Sequence, residues 1–249
     1  MTQTPDTGAA TTASPSAGSQ AAGSQTLSRG LRALELLAEA EAPMSIGELA
    51  AGLEVHRSNA YRVLRTLELH RFVTRDDAGL IRLGPKLTAL ARGVAPALHT
   101  AAMPAVTDLA YSLGMTAFVT VLDSAEVVTL VTVEPANVAA TIARNPGVRH
   151  PVDRGAPGHA IESSLSGAER AAFLGSADFS DAALQARNDG YAISRNEVID
   201  GVTGIAVPLR LPGEPPAAIA VVHFNLPESL AGVVARLQAA AEQIAQNYR

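Results

Sequence analysis

The 249-residue chain contains no cysteine and no tryptophan, and aromatic residues make up only 4% of it. Without cysteine there is no disulfide, no thiolate metal site and no cysteine nucleophile. No apolar run approaches the roughly 20 residues that a membrane span requires. The N-terminus lacks the basic stretch and apolar core of a secretory signal, so a cytoplasmic protein with no membrane partner is expected. There is no glycine loop leading into a lysine that would cradle a phosphate, and no dinucleotide fingerprint. Ser163-Ser164 lacks the flanking glycines of a nucleophile elbow. These absences argue against an enzyme and imply no cofactor.

What is present divides in two. Residues 27–98 carry ten Lys and Arg against eight Asp and Glu, whereas residues 99–249 carry nine against fifteen. The overall charge of −5 therefore conceals a basic first part. Attraction to phosphate depends on charge within a Debye length of about 8–10 Å, so an acidic whole does not exclude nucleic acid as a partner. Residues 1–26 are Thr, Ser, Ala, Gly, Gln and Pro with a single charge, a composition expected to give a disordered tail.

The most informative stretch is 45–69. Ser45 with Glu48 three positions later predicts a capped helix, and Gly52 ends it. In the next segment Ala60, Val63, Leu64 and Leu67 fall at i, i+3, i+4 and i+7, one apolar stripe. Ser58, Tyr61, Arg62 and Arg65 come round on the other side. A preceding helix is expected over 27–40 with Leu31, Leu34 and Leu37 inward. Two short apolar runs, 72–75 and 80–83, flank Asp76-Asp77-Ala78-Gly79 and predict a hairpin. Three helices and a hairpin make a winged helix-turn-helix (27–84), a DNA-reading unit. Arg57 and Arg65 are expected on phosphates, Arg62 on a base edge, and Arg75 and Arg82 on the wing. Residues 85–98 are read as a linker helix.

From 99 onward the texture is that of an α+β domain: an antiparallel sheet of about six strands flanked by helices. Strands are expected at 117–121, 127–133, 138–144, 191–194, 204–209 and 217–224. Helices are expected at 100–113, 159–165, 166–174 and 180–188, and along 228–248. The glycine-rich loop GVRHPVDRGAPG precedes the 159–165 helix, whose free N–H groups would suit a carboxylate. His150, Asp153 and His159 fit no compact metal-ligand spacing, so no metal is expected.

Three blocks in the first part and two in the second, read in order, resemble the IclR family of bacterial transcriptional regulators. They are SRGLRALELL, SIGELAAGLEVHRSNAYRVLRTLELHRFV and LGPKLTALA, then HPVDRGAPGHAI and NDGYAISRNEVIDGVTGIAVPL. The resemblance implies a GAF-like effector domain behind the winged helix, assembly into a homodimer or homotetramer, and binding to double-stranded operator DNA. By alignment it places a small-molecule effector against Ala156, Pro157, Gly158, Ser194, Val202, Gly204, Ala220 and Val222. It also puts Ser45, Ser58, Asn59 and Tyr61 with the arginines on DNA. Asn59 stands where relatives often have threonine, and Asn can bond bidentately to adenine. Asp153 and His159 replace a His and a Lys common among relatives. Since most effector positions are apolar or lack a side chain, a partly apolar effector such as an aromatic acid is expected, acting on a repressor of a catabolic operon. The rival reading is a metabolite-binding or enzymatic α+β protein whose winged helix serves protein contacts.

Overall fold

The computed structural model describes residues 24–136, 142, 144–224 and 229–248. The expected tail lies outside them up to residue 23. So does most of the expected strand at 138–144, of which only Ile142 and Arg144 are described, neither of them in a strand. The chain forms two compact units that divide between Arg92 and Gly93.

The first unit is built on α1 (Gln25–Glu39), α2 (Ile46–Gly52) and α3 (Arg57–Leu69), followed by strands β1 (Val73–Arg75) and β2 (Ile81–Leu83) and the short α4 (Lys86–Ala91). Ser45 and Glu48 cap α2 reciprocally: each side chain accepts the other's backbone N–H, at 2.7 and 3.2 Å. The stripe Ala60, Val63, Leu64 and Leu67 is buried against Ala33 and Leu37 of α1, Leu49 of α2, and Val73 and Ile81 of the hairpin. Burying each such leucine or valine contributes about 1.5–3 kcal/mol. On α1 the inward pair is Ala33 and Leu37. Leu31, expected inside, is exposed, because α2, α3 and the hairpin cover only the other side of that helix. Met44 exchanges two backbone hydrogen bonds with Ile81, adding a third edge to the hairpin. Gly84 admits the return of the chain, since a Cβ there would lie 2.4 Å from the Arg71 carbonyl oxygen. Residues 85–98 are not one helix. The chain breaks after Ala91, passes through Ala95 at φ +42°, and restarts at Pro96.

The second unit begins with α5 (Pro96–Leu113), β3 (Thr116–Asp123), β4 (Glu126–Val133) and β5 (Arg149–Pro151). It continues through α6 (Gly155–Ser164), α7 (Gly167–Leu174), α8 (Asp181–Asp189), β6 (Ala192–Arg195), β7 (Thr203–Leu209) and β8 (Ala217–His223), and closes with α9 (Ala231–Asn247). One antiparallel sheet has the order β5-β4-β3-β8-β7-β6. Strand alternation sorts its side chains. Val119, Val121, Ile205, Val207, Ile219 and Val221 pack with α5 and α9. Phe118, Leu122, Ala206, Ala218, Ala220 and Val222 pack with α6. Both faces are covered, which is why the strands read as nearly continuous apolar runs. The α6 face is floored largely by alanine, so that helix lies close to the sheet. Glu162 of α6 is buried and accepts from Arg170 of α7 (2.7 Å) and from the N–H and hydroxyl of Ser180 before α8 (3.0 and 2.8 Å). Burial pushes its carboxyl up, but the Ser180 N–H, Arg170 and the Ser180 hydroxyl together bring it below the usual range.

Candidate functional site

On α3 the structure sorts the polar side chains into two groups. Ser58, Asn59, Arg62 and Arg65 are exposed. Among the described residues no side-chain hydrogen bond or ion pair engages Asn59, Arg62 or Arg65, while the Ser58 hydroxyl meets His56 Nδ1 at 2.9 Å. The second group is occupied. Arg75 of β1 donates to Glu68 of α3 at 3.1 Å and lies 5.7 Å from the Tyr61 ring centre, with Arg57 5.8 Å from the same ring. Glu68, the acidic residue of this helix, is therefore turned to the hairpin and paired there. Arg82 reaches Asp76 at 3.5 Å. Ser45 spends its acceptor oxygen on the α2 cap. One face of α3 thus presents unpaired donors and cations, the equipment for base edges and phosphates.

In the second unit a cavity opens between the start of α6, the β6–β7 loop and the sheet. Its cavity volume is about 30 Å³, and it opens to solvent. Of the eight residues expected there, Pro157, Ser194, Val202, Gly204 and Val222 form its wall. Ala156, Gly158 and Ala220 do not. Ala156 and Ala220 are fully buried in packing, and a Cβ on Gly158 would meet the Val152 carbonyl oxygen at 2.0 Å. Gly158 is therefore required where α6 crosses the end of β5.

The expectation of free N–H groups at the helix start is overturned. α6 begins at Gly155, earlier than the glycine-rich composition suggests. Its first donors are already taken: Gly155 N–H by Glu197 Oε2 and Ala156 N–H by Ser194 Oγ, each at 2.8 Å. Pro157 has no N–H to offer. An internal carboxylate thus occupies the anion position that a helix N-terminus creates. His159, whose Nε2 faces the same Glu197 oxygen at 2.8 Å, completes that arrangement.

The residues that sequence reasoning missed give the cavity its chemistry. Arg144 lines it at 5% exposure, with its guanidinium 5.2 Å from the Phe118 ring centre. Among the described residues it has no carboxylate partner, and its Nε is buried without any hydrogen bond. Burial pushes its pKa below the usual arginine value. His150 is 6% exposed beside it. Its Nδ1–H donates to the Pro151 carbonyl at 2.9 Å, which leaves Nε2 buried and without a partner among the described residues. Burial holds its pKa below the ordinary 6.5; the Pro151 contact opposes this and nearby Arg144 reinforces it. Phe118, Ile142, Val198 and Ile199 supply apolar wall. A buried cation without a counter-charge is costly unless an anion arrives. The cavity thus sets a buried cation beside a largely apolar wall. Among the described residues no group of three or more His, Asp or Glu is placed to hold a metal ion.

Comparison with known proteins agrees with both units. The model of the IclR helix-turn-helix domain matches residues 26–77, and that of the bacterial transcriptional regulator IclR C-terminal domain matches residues 95–246. The chain is 27% identical over 202 residues to the HTH-type transcriptional regulator XynR of Escherichia coli strain K12, covering 74% of this chain and 80% of that protein. It is 28% identical over 201 residues to the glycerol operon regulatory protein of Streptomyces griseus, covering 75% and 79%. An IclR homologue from Microbacterium hydrocarbonoxydans, solved with 4-hydroxybenzoate, superposes with a TM-score of 0.76 at 24% identity, covering 90% of this chain and 99% of that one. No described helix is long and apolar enough to cross a membrane. With family models matching both of its units, the chain belongs to the IclR family of transcriptional regulators.

Proposed function

We propose that this regulator is a repressor of a catabolic operon, relieved by a small monocarboxylic acid with a partly apolar, aromatic body. The observation that carries the effector class is Arg144: buried, without an acidic partner among the described residues, stacked on Phe118 and facing a mainly apolar cavity. An effector carboxylate would supply the missing counter-charge, and the valine, isoleucine and phenylalanine wall would take its ring. The structural neighbour that holds 4-hydroxybenzoate and the relative named for a glycerol operon support an organic acid and a catabolic target.

On the DNA side, Asn59 and Arg62 read base edges in the major groove, while Ser58 and Arg65 contact phosphates. Arg57, Tyr61 and Arg75 brace the wing against α3, and Ser45 fixes α2 and reaches the backbone. Arg82 exchanges Asp76 for a phosphate. The protein acts in the cytoplasm as a dimer or tetramer on a palindromic operator. A coupling of roughly 1–3 kcal/mol between the effector cavity and the DNA-bound state would change operator occupancy several-fold. A thermal-shift screen tests the effector class. Benzoate and its hydroxylated derivatives should raise the melting temperature, and pyruvate and glyoxylate should not; the reverse pattern would refute it.

A further inference from the structure

Glu197 leads the tight connection between β6 and β7. Asn196 and Val202 close its base with a backbone hydrogen bond of 3.0 Å, and Asn196 Oδ1 accepts the Gly201 N–H at 2.8 Å. Asn196 at φ +59° and Gly201 at φ +77° make the two reversals. The carboxylate is thereby held at the cavity wall, and a single oxygen, Oε2, accepts both from Gly155 N–H and from His159. The other oxygen, Oε1, has no partner among the described residues. The same cavity wall carries the Arg144 guanidinium, which has no counter-charge among the described residues.

From these two opposite charges we infer that Glu197 determines which acids the cavity accepts. A ligand carboxylate set against Arg144 completes an ion pair. A second carboxylate on the same ligand would face Glu197, whose neighbouring N–H donors are already engaged, and would meet repulsion with nothing to offset it. A hydroxyl or amino group in that place would instead donate to Oε1. The effector class is thus a monocarboxylic acid bearing a neutral hydrogen-bond donor on an apolar body. This rests on the effector reading above for the position of the carboxylate, and adds what the remainder of the ligand must be.

Calorimetric titration of the full chain with benzoate, 3- and 4-hydroxybenzoate, isophthalate and terephthalate tests it. In the wild-type protein at least one hydroxybenzoate should bind about tenfold more tightly than benzoate, a charge-assisted hydrogen bond's worth. Both dicarboxylates should bind more weakly than benzoate by about tenfold or more. Glu197→Gln should raise dicarboxylate affinity relative to benzoate by at least about tenfold. Wild-type protein that binds benzoate, hydroxybenzoates and dicarboxylates alike would overturn the role of Glu197 while leaving the acid site at Arg144 standing. Failure of every one of these acids to bind would overturn both. The wild-type series decides the matter even if the variant does not fold.

Discussion

Replacing Arg144 by methionine should make the free protein more stable and deaf to its effector. Arg144 is 5% exposed, and among the described residues no carboxylate is paired with it. Its compensation is the Phe118 ring at 5.2 Å, a contact worth about 2 kcal/mol when desolvated. Taking an ion out of water costs several kcal/mol after relaxation. Methionine keeps most of the apolar stem and adapts to the same space without that penalty. The balance favours Arg144→Met by about 1–3 kcal/mol, by analogy with buried charges replaced by apolar residues. For a unit of this size that is a rise in melting temperature of about 2–12 °C, read by calorimetry without ligand. In the same experiment, saturating benzoate should raise the wild-type transition and leave that of the variant unmoved. A variant that melts lower than wild type, or that still responds to benzoate, would show Arg144 to be a structural cation and not the half of an ion pair that an effector completes.

Arg62→Ala should weaken operator binding by about 1–3 kcal/mol with relaxed preference at one base position, whereas Arg65→Ala should lower the salt dependence by about one counterion without altering preference. Fluorescence anisotropy across a salt series separates the two. Glu162→Ala should destabilise the second unit by about 3 kcal/mol, because it strands the Arg170 guanidinium and the Ser180 N–H in a closed setting; denaturant titration reads this. His150 gives a pH signature. Burial depresses its folded pKa below the ordinary 6.5, so the unfolded chain takes up the proton first as pH falls. Its contribution is complete above that value and is lost as pH falls through the folded pKa. The melting temperature should therefore drop below about pH 6.5. Arg144, His159 and Asp153 also act on His150; a carboxylate bound against Arg144 should reduce the drop, and His150→Gln should remove it.

The first unit was readable from sequence because its determinants are local. The spacing of Ala60, Val63, Leu64 and Leu67 gives the buried face of α3 without any distant contact, and the Ser45–Glu48 box starts α2 within four residues. The main strands were readable for a similar reason, as β-branched runs between turn residues. The cavity was not. Its key pairing joins Glu197 to Gly155 across 42 residues, and depends on β6 and α6 being brought together by sheet order. That long-range cap is also why α6 starts earlier than its Gly-Ala-Pro-Gly opening suggests. Arg144 carried no signal of its own, being a lone arginine at the end of a run read as a strand. The short β5, with only three residues, is too brief for alternation to show. Exposure of Leu31 has a plainer source: periodicity says which residues share a helix face, not how wide a neighbour covers it.

On this reading an acid seated on Arg144 controls what the exposed face of α3 does to DNA. Binding of the full chain to its own upstream DNA, followed with and without 4-hydroxybenzoate for wild type and Arg144→Met, tests it most directly. The acid should release wild-type protein from DNA several-fold and leave the variant bound. Equal release of both proteins, or release of neither by any of the acids that stabilise the wild type, would contradict it.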